Sequence, residues 1–536
     1  MITIEKKYNI RHDCRGMYED EIIETILQDR GIDEPEHFFN PTKDDLLPLD
    51  ALQNIVEATD LIKKAIVNQY EIGVHFDVDT DGITAGTIMT RYLKHFISDK
   101  YIHTYINEGK QHGLSSSKED FSNIDLLIVV DSLDNSIDAY KYWADKGVSI
   151  IVLDHHAINP AIPYDDYVTL VSSQRNYANP HLSGAGVVWK LCKYYDCTIY
   201  ANYADDLADL AASGLIADMV DMTNMENRYI VSKGLEKIHN LAIKKIIGGY
   251  EFNSTAISFS IAPLVNSSNR MFNNETAMKA FLADNNKEIL AYIKELKKCR
   301  ELQNEVVTEC MTLARQQCEN QRDNKMITVF HDSEYGISGL VANKLLEEYQ
   351  RPILVLKDIG DSYAGSMRAV GVDDFRKICN DSGLAQADGH ELASGITIQK
   401  ENYNSFVQYI EDHLQLDFNE EIDVDVQLEV SDITRSLIEK IKLIDRISGT
   451  GHKPIKVMVE NIDEYGVGQM SDYKHLVIKP RDYLLMIKWN FNGSFEDMED
   501  HRLMNDEVSV VGSLDYGFLG RQFMLKLICD EVKVVN

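Results

Sequence analysis

No two of the eight cysteines are spaced as a CxxC pair, so a zinc ribbon or a thioredoxin-type redox motif is absent. Scattered thiols in a chain of 536 residues read as reduced, which predicts a cytoplasmic location. The opening residues, MITIEKKYNIRHDCRG, lack the apolar core of a signal peptide, and no apolar run is long enough to span a bilayer. Positive charge is also scarce. Fifty-four Lys plus Arg stand against 86 Asp plus Glu, a net charge of −32 with a pI near 4.9. That argues against nonspecific attraction of a polyanion at long range, although a local basic groove or bound cations could still hold one. There is no internal repeat and no low-complexity tract. Hydrophobic residues at 44% and charged residues at 26% describe an ordinary globular chain, long enough for three or four domains.

Residues 1–70 read as polar and helical, with a turn at NPTKDD (40–45). From 71 the pattern changes to short apolar runs that each end in an acid: EIGVHFD (71–77), DLLIVVD (125–131) and VSIIVLD (148–154), the last running into His155 and His156. Uninterrupted apolar runs of this length predict buried parallel strands, whose ligands bind beyond the carboxyl ends. The segment 276–325 reads as one long helix in which acids and bases balance. A second α/β block follows at 326–416, then an acidic hinge (415–425). The remaining residues, within 417–536, read as short strands and turns, a small all-β module.

FDVDTDGITAG (76–86) matches the first half of an EF-hand loop, but position 12 is Ile88 and a strand precedes it, so the calcium reading fails. DTDGI also resembles the nucleophile motif of haloacid-dehalogenase phosphatases, which that family places at the start of its catalytic domain. Asp131, Asp154, His155, His156 and Asp218 add carboxylates and imidazoles without a cysteine, a donor set suited to Mn²⁺ or Mg²⁺. Two such ions could bind a phosphate, activate water and stabilise a leaving oxygen.

Asp154-His155-His156 resembles the signature of the DHH phosphoesterase superfamily, and the longer pattern is similar to its RecJ-like single-strand-specific exonucleases. SGAGVVWKL (183–191), GLIADMVDMTNMENR (214–228), APLVNSSNRM (262–271), GSMR (365–368) and DGHELASG (388–395) stand in that family's order. The resemblance implies a parallel-sheet DHH domain at 71–275 with an N-terminal helical segment packed on it. It also implies a connecting helix, a smaller α/β DHHA1-like domain at 326–416 and a C-terminal OB-like β-barrel at 417–536. It implies Asp77, Asp79, Asp131, His155 and Asp218 as metal ligands for two Mn²⁺ or Mg²⁺ ions. Asp154 would orient His155, and His156 would contact the scissile phosphate or assist proton transfer, with Asp81 bonding the loop. Gly184 and Gly186 would serve close helix packing.

Arg270, Ser366 and Arg368 match positions that hold a terminal 5′-phosphate, and His390 would approach the substrate. By their residue type alone, Arg270 could instead be a salt-bridge partner and His390 a core histidine. Tyr473, Lys474, His475, Trp489 and Arg521 are candidates for contact with a single strand. The implied activity is 5′→3′ hydrolysis of single-stranded DNA to 5′-mononucleotides in repair, recombination or replication. The expected protein is a monomer without membrane contact, helped by a single-strand-binding protein or helicase. The alternatives are an oligoribonuclease or nucleotide phosphatase of the same superfamily, or an inactive replication scaffold. Tyr105 stands where an arginine would grip the 5′ end, and Asn269 and Asp388 each replace a family glycine. Gly73 occupies the place where small-substrate relatives carry a histidine.

Overall fold

The computed structural model describes residues 7–417, 421–470, 474–489, 491, 493–504 and 506–535. These group into two compact units, one of 46–220 with 230–417 and the other of 7–45, 221–229 and 421–535.

In the first unit five parallel strands lie side by side in the order Ile102–Ile106, Ile72–Phe76, Leu126–Val130, Ser149–Asp154 and Thr169–Ser172. Ile72–Phe76 and Leu126–Val130 are buried at every position, which is why their sequences are uninterrupted apolar runs. Chain order reverses on either side of Ile72–Phe76, so the switch point lies between it and Leu126–Val130. Helix Thr80–Leu93 leaves the first of these strands and is buried along nearly its whole length against helices Gly184–Ile199 and Ala208–Ala217. Its small residues permit that close packing.

The expected single helix over 276–325 is two helices, Asn274–Leu282 and Asn286–Glu319. The break falls where Asn285 takes an extended backbone and its side chain accepts the Glu288 amide, capping the second helix. A second, mixed sheet follows in the order Ala385–Gly389, Ala393–Gln399, Ser362–Arg368, Ile353–Asp358, Ile327–Phe330.

The second unit corrects the reading of residues 1–70 as wholly helical. Lys7–Asp13 is a strand, paired in parallel with Glu421–Leu428 more than 400 residues away. Tyr8 and Ile10 pack at period two against Val424, Met458 and Val511, so a distant partner settles a segment whose local pattern is weak. Residues 7–45 therefore belong with the C-terminal strands and not with the parallel sheet. The expected OB-like region is an eight-stranded mixed sheet running from Lys7–Asp13 at one side to Gly466–Met470 at the other. Among the described residues no ladder joins those two outer strands.

Arg228 is 1% exposed in this unit, with its guanidinium 3.5 Å from the Phe38 ring centre. It donates to the carbonyls of Phe38 (3.1 Å), Met222 (3.2 Å) and Ile447 (3.2 Å), tying three separate chain segments together. Arg228→Ala is expected to destabilise this unit by about 3 kcal/mol, because three carbonyls lose a charged donor. Urea unfolding followed on Trp489 would detect it as a lower midpoint.

Candidate metal centre

Three acids leave the sheet at its switch-point edge. Asp77 follows Ile72–Phe76, Asp131 follows Leu126–Val130, and Asp154 ends Ser149–Asp154. Asp79 caps helix Thr80–Leu93, accepting the Gly82 amide at 3.0 Å. Asp131 has a left-handed backbone (φ 55°) and is 2% exposed. His155 Nε2 lies 3.2 Å from Asp131 Oδ1, 3.7 Å from Asp218 Oδ2 and 3.9 Å from Asp81 Oδ2. Asp218 reaches this point from the end of helix Ala208–Ala217.

Donor atoms within 4.8 Å of one another form three overlapping groups: Asp77, Asp79 and Asp131; Asp131, His155 and His156; and Asp81, His155 and Asp218. All five residues expected as ligands are thus brought together. Asp81 is less available than its neighbours, because its carboxylate already accepts Ser183 Oγ (2.9 Å) and the amides of Gly184 (2.7 Å) and Ala185 (3.1 Å). Asp154 is fully buried. It accepts the Leu133 amide (2.9 Å) and faces His156 Nδ1 (3.0 Å), so it orients His156 and not His155 as expected. His156 remains about half exposed, with Nε2 as the nitrogen left to meet a substrate.

The electrostatics show carboxylates held together without enough compensating charge. Burial, then Asp77 and Asp81, pushes Asp79 up to about 7. Burial, then Asp81 and Asp79, pushes Asp218 up to about 8. Asp131 is raised well above the carboxylate range by burial and four neighbouring acids, and its Oδ1 is buried without a hydrogen-bond partner. Asp154 goes the other way. Burial alone would raise it, but His156 and His155 together hold it well below the usual range. The Asp154 charge drives His156 up to about 10. Orphaned buried oxygen, crowded acids and adjacent imidazole nitrogens fit a hard divalent cation.

Gly184 lets helix Gly184–Ile199 start directly against Asp131: a Cβ added there would lie 2.5 Å from Asp131 Oδ1. Gly184→Ala is expected to displace the carboxylate and lower activity about 10²-fold, with little loss of secondary structure. Steady-state rates beside circular dichroism would test this.

A second cluster lies in the same unit. Ser366 and Arg368 project from strand Ser362–Arg368 toward the start of helix Ser338–Tyr349, where a Cβ on Gly339 would meet Arg368 Nη2 at 3.1 Å and Ser366 Oγ at 3.4 Å. Arg270 ends helix Ala262–Arg270, and its carbonyl accepts the Gly336 amide (3.1 Å). A Cβ added at Gly336 would lie 3.1 Å from Lys110 Cε. Crowding by protein atoms, then Arg270 and Arg368, pushes the Lys110 ammonium down to about 8, and Arg300 adds to the field at Arg270. Among the described residues none of these four cations has a carboxylate within 4 Å, and Arg270 Nε is buried without a partner. The salt-bridge alternative for Arg270 is thereby removed.

Lys110 was missed by sequence reasoning, since the segment 105–114 departs from the family pattern there. Tyr105 packs edge-on against Phe121 (4.9 Å) within the sheet's core layer, and the cation this segment brings near Arg270 and Arg368 is Lys110. His390 is exposed at the tip of the hairpin formed by Ala385–Gly389 and Ala393–Gln399, and so is no core histidine; it is not drawn into the cation cluster. Asp388 is exposed beside it. In the second unit His475 and Trp489 meet edge-on at 4.6 Å, and Arg521 is exposed at a hairpin turn. Lys474 is exposed, and Tyr473 lies outside the described residues.

Fold and site together define a carboxylate–imidazole centre at the switch point of a doubly wound sheet. Residues 71–215 match the DHH family, N-terminal domain. Over 418 residues the chain is 30% identical to the SPbeta prophage-derived protein YorK of Bacillus subtilis, named as a single-strand DNA-specific exonuclease, covering 70% of this chain and 72% of that protein. It is 28% identical over 473 residues to the single-stranded-DNA-specific exonuclease RecJ of Bacillus subtilis, covering 82% of this chain and 58% of the relative. The crystal structure of RecJ from Thermus thermophilus with Mn²⁺ shares the fold, with a TM-score of 0.76 over 96% of this chain and 76% of that one, at 20% identity. The chain belongs to the RecJ-like group of the DHH family. Among the described residues no helix is long and apolar enough to cross a membrane.

Proposed function

We propose that this protein is a metal-dependent 5′→3′ exonuclease that hydrolyses single-stranded DNA to 5′-mononucleotides. The observation that carries the reading is the pairing, in one unit, of a carboxylate–imidazole centre with a separate group of cations that have no acid partner. Asp77, Asp79, Asp131, His155 and Asp218 would hold the metal, Mn²⁺ or Mg²⁺, and the three overlapping donor groups suit two ions. When bound, such ions activate water and screen the charge of the phosphodiester. Asp154 fixes the His156 ring through Nδ1, so that Nε2 can donate to a phosphate oxygen. Asp81 ties the ligand loop to the start of helix Gly184–Ile199.

Arg270, Arg368, Ser366 and Lys110, at the start of helix Ser338–Tyr349, supply guanidinium, hydroxyl, ammonium and backbone donors for a terminal phosphate monoester. Three cations gathered without a carboxylate within 4 Å among the described residues, in a chain of net charge −32, are costly unless an anion joins them. Anchoring the 5′ end at a fixed distance from the metal centre makes cleavage proceed from that end, one nucleotide at a time. The C-terminal strands, with His475, Trp489 and Arg521, would act as an OB-like surface that tracks the strand. The substrate class is supported by the likeness to relatives named as single-strand DNA-specific exonucleases. Action in repair or recombination, assisted by a single-strand-binding protein or helicase, follows from the same reading.

The test is polarity. Single strands labelled at the 5′ or the 3′ end are digested with Mn²⁺. Immediate release of labelled mononucleotide from the 5′ end is the expected result. Early release from the 3′ end, or loss of internal label first, would reverse the assignment of the cation pocket.

A further inference from the structure

Phe272 is a bulky aromatic in a place that favours glycine. It follows helix Ala262–Arg270 with φ 55°, where helices commonly end on a left-handed glycine or asparagine. That backbone is unfavourable for a residue with a Cβ, and the ring is 55% exposed, so burial offsets little of the strain. The turn is held on both sides. The Asn273 amide donates to the Ser268 carbonyl (2.8 Å), and Asn269 Nδ2 donates to the Val78 carbonyl (3.2 Å) in the loop between Asp77 and Asp79. The ring lies over Gly109, where an added Cβ would meet Phe272 Cε1 at 2.5 Å. Tyr335 stands beside it, with ring centres 6.1 Å apart and planes 34° from parallel, and is backed by the core around Met271 and Ile337.

These positions adjoin the cation cluster. Lys110 follows Gly109, Arg270 precedes Phe272 by two residues, and Gly336, whose amide donates to the Arg270 carbonyl, follows Tyr335. Each of three chain segments thus places part of the aromatic patch within two residues of part of the cation cluster. Phe272 also lines a cavity of about 260 Å³ together with Gln111, Ser117, Glu108, Glu119 and Glu275. Three carboxylates there repel a phosphate, so the charged end of a nucleotide belongs with the cations and the uncharged base beside Phe272. A flat ring suits that base, since every base presents a π-face whatever its identity.

We propose that Phe272, backed by Tyr335, is a stacking platform for the base of the 5′-terminal nucleotide, so that the strand end is held by its base as well as by its phosphate. The inference rests on the reading of the cation cluster as the 5′-phosphate site. Hydrolysis breaks the bond between phosphorus and the 3′ oxygen of the first nucleotide. That oxygen takes a proton from water, and the water oxygen stays on the phosphate of the second nucleotide, which becomes the new 5′ end. The stack is therefore remade at every step, and an abasic residue is expected to stall hydrolysis when it reaches the end.

The full chain with Mn²⁺ is given 5′-phosphorylated single strands that differ only in the first nucleotide, deoxyadenosine or its abasic analogue. Wild type is expected to favour the adenine end at least about fivefold in kcat/KM. Glycine accepts the left-handed backbone, and Phe272→Gly is expected to bring that ratio below about twofold, chiefly by raising KM on the adenine end. Phe272→Trp, which keeps a π-face, is expected to restore the preference. Should Phe272→Gly fold poorly, Phe272→Leu decides, since it keeps apolar bulk on the same backbone without a π-face: a collapsed ratio supports the inference, and a wild-type ratio overturns it. Equal rates on the two ends in wild type, or equal losses on both in Phe272→Gly, would leave Phe272 a packing residue and overturn this proposal alone. A wild type that hydrolyses 5′-phosphate and 5′-hydroxyl adenine ends equally would overturn the reading of the cation cluster, and this inference with it.

Discussion

Asp131→Asn is expected to lower hydrolysis by at least about 10³-fold while raising the melting temperature of the cation-free protein. The two effects share one cause. Asp131 is buried among Asp77, Asp79, Asp81 and Asp154, and its Oδ1 makes no hydrogen bond, with only the His155 imidazole beside it at 3.2 Å. Asparagine keeps the shape and removes the charge, so the cation loses a ligand and the empty cluster loses repulsion. The pH dependence has a definite sign. Asp79 and Asp218 titrate near 7 and 8 in the folded chain, against about 4 when unfolded. Between those limits the folded state binds more protons than the unfolded one, so this contribution to stability is lost as pH rises through that window.

The difference between wild-type and Asp131→Asn melting profiles in EDTA isolates the cluster from acids elsewhere. Wild type is expected to fall further behind the variant at pH 8 than at pH 6. Saturating Mn²⁺ should reverse the order at pH 8, adding about 2.7 kcal/mol to wild type at a hundred times Kd. A variant no more stable than wild type in EDTA would contradict the electrostatic account.

Arg270→Gln is expected to lower hydrolysis of 5′-phosphorylated single strands about 10²-fold and of 5′-hydroxyl strands far less. Arg270 lies near Arg300 and Arg368 with no carboxylate within 4 Å among the described residues, and its Nε is buried without a hydrogen bond. Removing the charge relieves like-charge repulsion, so the melting temperature should not fall as it would on breaking an ion pair. Rates on matched 5′-phosphate and 5′-hydroxyl oligonucleotides separate a terminal-phosphate site from a general strand path. Equal losses on both would favour the general path.

The candidate metal centre was legible because its residues obey a rule that needs no tertiary knowledge. Strands buried on both faces read as unbroken apolar runs, and Asp77, Asp131 and Asp154 stand at their carboxyl ends. Asp218 came from motif order alone, since a residue at a helix end carries no periodic signal. Lys110 was not legible: it sits in a loop whose conformation depends on Gly113 meeting Asp134 and on Asn274 Nδ2 donating to the carbonyls of Asn107 and Gly109. The strand Lys7–Asp13 was missed for a different reason, because its partner Glu421–Leu428 is remote in sequence and only the pairing selects extended backbone. Arg228 lay within a recognised motif yet serves structure, capping carbonyls that no local pattern places together.

Cation-dependent release of 5′-mononucleotides from single-stranded DNA tests the central claim most directly. EDTA-stripped protein is titrated with Mn²⁺ on long single strands, with dinucleotides and a duplex of the same sequence in parallel. The account predicts no hydrolysis in EDTA, mononucleotide release from long single strands that rises with Mn²⁺ occupancy, and an intact duplex. Surviving long strands beside hydrolysed dinucleotides, or hydrolysis undiminished in EDTA, would contradict it.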